Sequence, residues 1–214
     1  MVLSVYIARA SDGNPLSGSV DSDNNREIEE QKQKIKLLTR KITPESEPRA
    51  SIESGKYYIH YLIQNNIVYF CITDHSYPAK LAFSFLDELA KEFYTSYGVE
   101  AQTVARPFAF IKFDNFIEKT KRLYQDTRAT QNLDRLNAEL QDVTRVMTKN
   151  IEDLLYRGDS LDRMQDLSSN LRAESKKYVR HAKRINIEAL IRQYIPVIGL
   201  SLMFLFLIWW MFLR

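Results

Sequence analysis

The 214-residue sequence is poor in the residues that build most catalytic, metal and phosphate sites. Its single cysteine, Cys71, excludes a disulfide framework, and His60, His75 and His181 stand too far apart for a Cys/His metal motif. The six glycines, at 13, 18, 55, 98, 158 and 199, form neither a dinucleotide-binding fingerprint nor a Walker loop. No Asn-x-Ser/Thr acceptor occurs, and residues 1–10 lack the basic start and the apolar run of a signal peptide, so a cytosolic body is expected. Asp87 and Glu88 are adjacent on a predicted helix and point different ways, and no histidine has a paired nucleophile. No catalytic, cofactor-binding or metal-binding residue is therefore expected, and no nucleic-acid partner. Cys71 reads as a buried core residue, with a reactive thiol as the alternative.

Long hydrophobic runs are absent too, with one exception. From Ile195 to Leu213, 19 consecutive residues carry no charge and 16 are apolar, interrupted only by Pro196, Gly199 and Ser201. As a helix this run is about 28 Å long, close to the ~30 Å of a bilayer's hydrocarbon core. A transmembrane anchor over 195–213 follows, with Trp209 and Trp210 as interfacial aromatics; the alternative is a buried helix of a soluble domain. The net charge of +3 is local in origin. Between Arg172 and Arg192 seven basic residues face two acidic ones, a net of +5, which leaves −2 for the remainder. A basic segment beside a span stays cytoplasmic, which places the N-terminus in the cytosol and predicts post-translational, tail-anchored insertion.

The first 125 residues alternate strand and helix signals. Runs at 3–8 and 15–20 flank the turn cluster Asp12-Gly13-Asn14-Pro15 and predict a hairpin. Ile28, Ile35, Leu38 and Ile42 recur at spacings of seven, three and four, which predicts an amphipathic helix over 26–42. Tyr57–Ile63 and Ile67–Thr73, separated by Gln64-Asn65-Asn66, predict a second hairpin, with a further strand near 51–54. Both of its strands are apolar or aromatic on both faces, so the sheet should be covered on both sides. Helix 26–42 supplies one cover; Leu81, Phe85, Leu89 and Phe93, with Phe113, Phe116 and Ile117, supply the other. An α+β domain over 1–125 is expected, followed by a linker at 126–132.

From Leu133 the spacing becomes heptad. Leu133, Leu136, Leu140, Val143, Met147, Asn150, Leu154, Arg157, Leu161, Met164, Ser168, Leu171, Ser175, Tyr178, Ala182 and Ile185 advance alternately by three and four. Twelve of these sixteen positions are apolar, which makes 133–185 a coiled-coil seam, with 186–194 as a basic juxtamembrane linker. Burying twelve such side chains gains roughly 18–36 kcal/mol gross, which a lone helix cannot collect. The segment is expected to order only with partner helices. Arg157 is the anomaly. Five donors and no acceptor demand oxygens from other chains, and two copies in a homodimer would repel, so the residue points to a heteromeric bundle offering neutral acceptors such as glutamine. The alternative is an arginine that snorkels out of a loose seam.

Leu133-Asp134-Arg135-Leu136, the stretch from Val146 through Arg157 to Leu161, and the C-terminal anchor resemble the R-SNARE proteins. With the "SGKYYIHYLI" and "RPFAFIKFDNFI" stretches, the whole chain resembles a longin-type R-SNARE (vesicle SNARE) of endoplasmic reticulum–Golgi transport. The resemblance implies a longin domain, that is, a five-stranded antiparallel sheet with one helix on one face and two on the other, then a SNARE helix and a transmembrane helix. It implies that Arg157 forms the ionic layer with three glutamine-SNARE helices in a parallel four-helix bundle, the other fifteen seam residues forming the remaining layers. It further implies fold-back of the segment around Asn150, Ile151 and Glu152 onto the longin domain, recognition of that form by the vesicle coat of endoplasmic reticulum exit, and recycling by the SNARE disassembly ATPase and its adaptor. The expected location is endoplasmic reticulum and Golgi membranes. A tail-anchored coiled-coil tether, or a non-fusogenic longin regulator, is the alternative function.

Overall fold

The computed structural model describes residues 1–19, 25–125 and 146–155, all within one compact unit, Met1–Arg172. The elements in chain order are β1 (Val2–Arg9), β2 (Pro15–Gly18), α1 (Arg26–Lys41), β3 (Arg49–Ser54), β4 (Tyr57–Gln64), β5 (Ile67–Asp74), α2 (Ala79–Thr103), a 3-10 turn (Ile111–Phe113), α3 (Asp114–Gln125), β6 (Met147–Asn150) and α4 (Ile151–Leu155). The first five strands lie in the order β2-β1-β5-β4-β3 and pair antiparallel throughout. The expected five-stranded antiparallel sheet needs one correction. β6 extends it at the β3 edge as a sixth, parallel strand, so the sheet is mixed.

Turn chemistry sets the register of the central hairpin. Asn65 and Asn66 both have positive φ, 52° and 61°, the backbone of a two-residue turn whose twist suits the flanking strands. Asparagine tolerates this conformation, and the predicted break at 64–66 falls there. The resulting pairing, from Tyr57↔Asp74 to Gln64↔Ile67, sends Ile59, Tyr61, Phe70 and Ile72 to one face and Leu62, Tyr69 and Cys71 to the other.

Each face has its own cover. α1 begins at Asn25, whose Oδ1 accepts the Glu27 N–H at 3.0 Å, and it carries Glu27 and Glu29 in its first turn and Arg40 and Lys41 in its last. It packs on β1 and β5 through buried Ile28, Ile35 and Leu38. On the opposite face α2 and α3 enclose a core of Val5, Ile7, Tyr69, Cys71, Phe83, Phe85, Leu89, Phe93, Phe113 and Ile117, with the Phe93 ring edge-on to Tyr69, Phe110 and Phe113. The C-terminal carbonyls of α2 need partners, and buried Arg9 supplies them. Its Nε donates to the Ala101 oxygen at 2.9 Å, and its guanidinium also reaches the Val104 oxygen. The two-sided sheet with one helix against two is as expected. Among the described residues no helix is long and apolar enough to cross a membrane; the expected anchor, 195–213, lies outside them.

Candidate functional site

β3 would be an edge strand, with a row of unpaired N–H and C=O groups facing solvent. The segment 147–150 occupies that edge, in the register Ala50↔Met147, Ser51↔Thr148, Ile52↔Lys149 and Glu53↔Asn150. Asn150 then ends the strand and starts a helical turn, its Oδ1 accepting the Glu152 N–H at 2.9 Å. α4 packs against β3 and α1 and buries Ile151 and Leu155, each 4% exposed. Two polar contacts close the arrangement. Lys41 Nζ donates to the Leu155 carbonyl at 2.6 Å, and Lys149 Nζ pairs with Glu47 Oε2 at 2.8 Å.

The heptad pattern predicts helix through 147–155, and here the structure differs. Met147–Asn150 is strand, because a chain with no partner helix satisfies its backbone on a vacant sheet edge. The side chains it uses are also different. Seam residue Met147 is 59% exposed, Asn150 is exposed and Leu154 is half-buried, whereas Ile151 and Leu155, both off the seam, are the buried ones. Sequence reasoning missed Leu155, Lys41, Glu47 and Lys149. The available signal was Leu155 itself, an apolar residue one position past seam residue Leu154, where a coil faces water. Of the expected layer residues, Leu133, Leu136, Leu140, Val143, Arg157 and those from Leu161 to Ile185 lie outside the described residues.

The polar groups elsewhere in the domain serve packing. His60 is buried between Ser51 Oγ, 2.8 Å from Nδ1, and Thr73 Oγ1, 3.1 Å from Nε2, and meets the Phe83 ring edge-on. Burial pushes its pKa down to about 4, so the ring is neutral at neutral pH. Neighbouring Cys71 is fully buried and its thiol is pushed up, which makes it a poor nucleophile and fits the core role expected of it. Asp87 is half-buried; desolvation raises its pKa, and the Arg49 guanidinium at 2.8 Å opposes that shift. Among the described residues no cluster of His, Cys, Asp and Glu could hold a metal ion.

Comparison with known proteins covers the chain from end to end. Residues 16–117 match the longin family, described as a regulated-SNARE-like domain, and residues 132–212 match the synaptobrevin family. Protein transport protein SEC22 of Yarrowia lipolytica is 65% identical over 99% of both chains, and that of Saccharomyces cerevisiae 47% identical over 100% of both. Vesicle-trafficking protein SEC22b of Xenopus tropicalis is 40% identical over 99% of this chain and 100% of its own. A longin fold, a synaptobrevin segment and full-length likeness to these transport proteins agree on one conclusion: the chain belongs to the longin-type R-SNARE family of vesicle-transport proteins.

Proposed function

We propose that this R-SNARE works between endoplasmic reticulum and Golgi, alternating between two uses of one segment. In the assembled state 133–185 is one helix of a parallel four-helix bundle, with Arg157 meeting three glutamines from partner SNAREs. Zippering from Leu133 toward Ile185 draws the 186–194 linker and the 195–213 anchor toward the partners' anchors. The cytosolic N-terminus and the single C-terminal span follow from the basic segment and the apolar run. In the unassembled state 147–155 rests on the longin sheet, and the folded-back form, presented around Asn150, Ile151 and Glu152, is the one a vesicle coat selects. The disassembly ATPase and its adaptor return the chain to that state.

The observation that carries this reading is the strand–turn–helix of 147–155 on the β3 edge, since residues docked as a strand cannot be bundle helix at the same time. Magnitudes set the direction of exchange. Fold-back buries two apolar side chains, Ile151 and Leu155, and half-buries Val146 and Leu154, whereas the seam offers twelve at ~1.5–3 kcal/mol each, so partner helices displace the folded-back state. The test is reconstitution of the full chain in liposomes facing liposomes that carry glutamine SNAREs. Fusion is expected for the unmodified chain, with loss of correct pairing on Arg157→Leu and lower fusion with intact bundle assembly when a long flexible insert follows Asn186. Undiminished fusion with the insert would refute transmission of force through the linker.

A further inference from the structure

Resting on the fold-back reading, we propose that Lys41 and Glu47, at the two ends of the α1–β3 connection, are positioning residues that set how often the 147–155 segment opens. Closure buries Ile151 and Leu155, half-buries Val146 and Leu154 and pairs four residues of β6 with β3, and the two polar contacts at its rim add to that modest apolar contribution. Lys149, the third residue of β6, is pinned to Glu47, and Lys41 donates to the Leu155 carbonyl of α4. These two contacts bracket the segment from Lys149 to Leu155, one coming from the last residue of α1, Lys41, and the other from Glu47 in the short connection that follows, residues 42–48.

The residues involved sit where the competing state makes no demand on them. In the heptad register, with Met147 and Asn150 on the seam, Lys149 faces outward from a bundle, and Lys41 and Glu47 lie outside the seam altogether. Their charges therefore act on the folded-back state and leave the assembled one untouched. Side-chain exposures of 32% for Lys149 and 42% for Glu47 make that pair sensitive to salt, so ionic strength tunes the gate.

Hydrogen exchange of the full chain in lipid nanodiscs, read over 147–155, tests this. Glu47→Lys and Lys149→Glu are each expected to speed exchange about two- to fivefold, the range of partly exposed ion pairs, and the double reversal to restore it. Lys41→Gln is expected to speed exchange about tenfold and Lys41→Arg to preserve protection. Association with glutamine-SNARE helices should quicken in the same order, while the melting temperature of the assembled bundle stays unchanged for Glu47→Lys and Lys41→Gln. Unaltered exchange in both single reversals, or no rescue in the double, overturns the clasp while leaving fold-back intact. Free-chain exchange over 147–150 in the unmodified protein overturns fold-back itself, and the clasp with it.

Discussion

The sheet has two hairpin-built strands at its centre and a visiting strand at its edge, and they are held by different physics. β4 and β5 pair over eight residues, join through a two-residue turn and lie between helices on both faces. β6 pairs over four residues, in parallel, with one neighbour. At the centre, burial is extensive: Ile59, Phe70, Cys71 and Ile72 are 0% exposed. At the edge, Met147 is 59% exposed, and beyond the four-residue pairing attachment comes from Ile151 and Leu155, from half-buried Val146 and Leu154 and from two rim contacts. The edge segment is attached by few, local interactions, whereas the platform beneath it is overdetermined.

The largest perturbation of that contrast strikes the platform. Phe93→Ala removes a fully buried ring that touches four others and should cost about 3–5 kcal/mol in chemical denaturation, lowering the stability of sheet and segment together. Acid does something similar more gradually. With the folded pKa of His60 lowered to about 4 from 6.5, the unfolded chain binds the proton first, so the stability His60 contributes is complete above pH 6.5 and is lost as pH falls toward 4. The loss is on the order of 3 kcal/mol, visible as a falling denaturation midpoint across that window. His60→Gln should flatten this pH dependence.

Smaller changes act on the edge alone. Ile151→Ala removes most of one of its two buried side chains, worth roughly 2 kcal/mol locally; exchange over 147–150 should approach the free-chain rate. The denaturation midpoint of the platform should barely move. If that midpoint dropped with it, edge and centre would be one cooperative unit and the contrast would fail. Asn150→Ala, which loses only the cap onto Glu152, should loosen the segment by about 1 kcal/mol, seen as a modest rise in the same exchange rates.

Much of the platform was legible in advance because it rests on local signals. The Asn65-Asn66 turn, the 28–35–38–42 periodicity and the two-sided strands each identify an element without reference to the rest of the chain. Legibility failed at 147–150. Met147, Thr148, Lys149 and Asn150 fit a heptad as well as a short strand, and nothing local ranks the two. The positioning residues were hidden for a related reason: Lys41 and Glu47 look like ordinary solvated charges until the chain returns, more than a hundred residues later, to place Lys149 and Leu155 beside them.

The amino-acid sequence by itself determined the α+β pattern of the first 125 residues, the heptad spacing of 133–185 and one apolar run of bilayer length, because periodicity, turn chemistry and hydropathy are properties of consecutive residues. Only the tertiary structure decided that part of the seam lies as a parallel strand on the β3 edge, and which side chains hold it there. A strand's edge acquires its unpaired hydrogen-bonding groups only when the sheet exists, so the partner for 147–150 is created by folding and is written in no stretch of sequence near it.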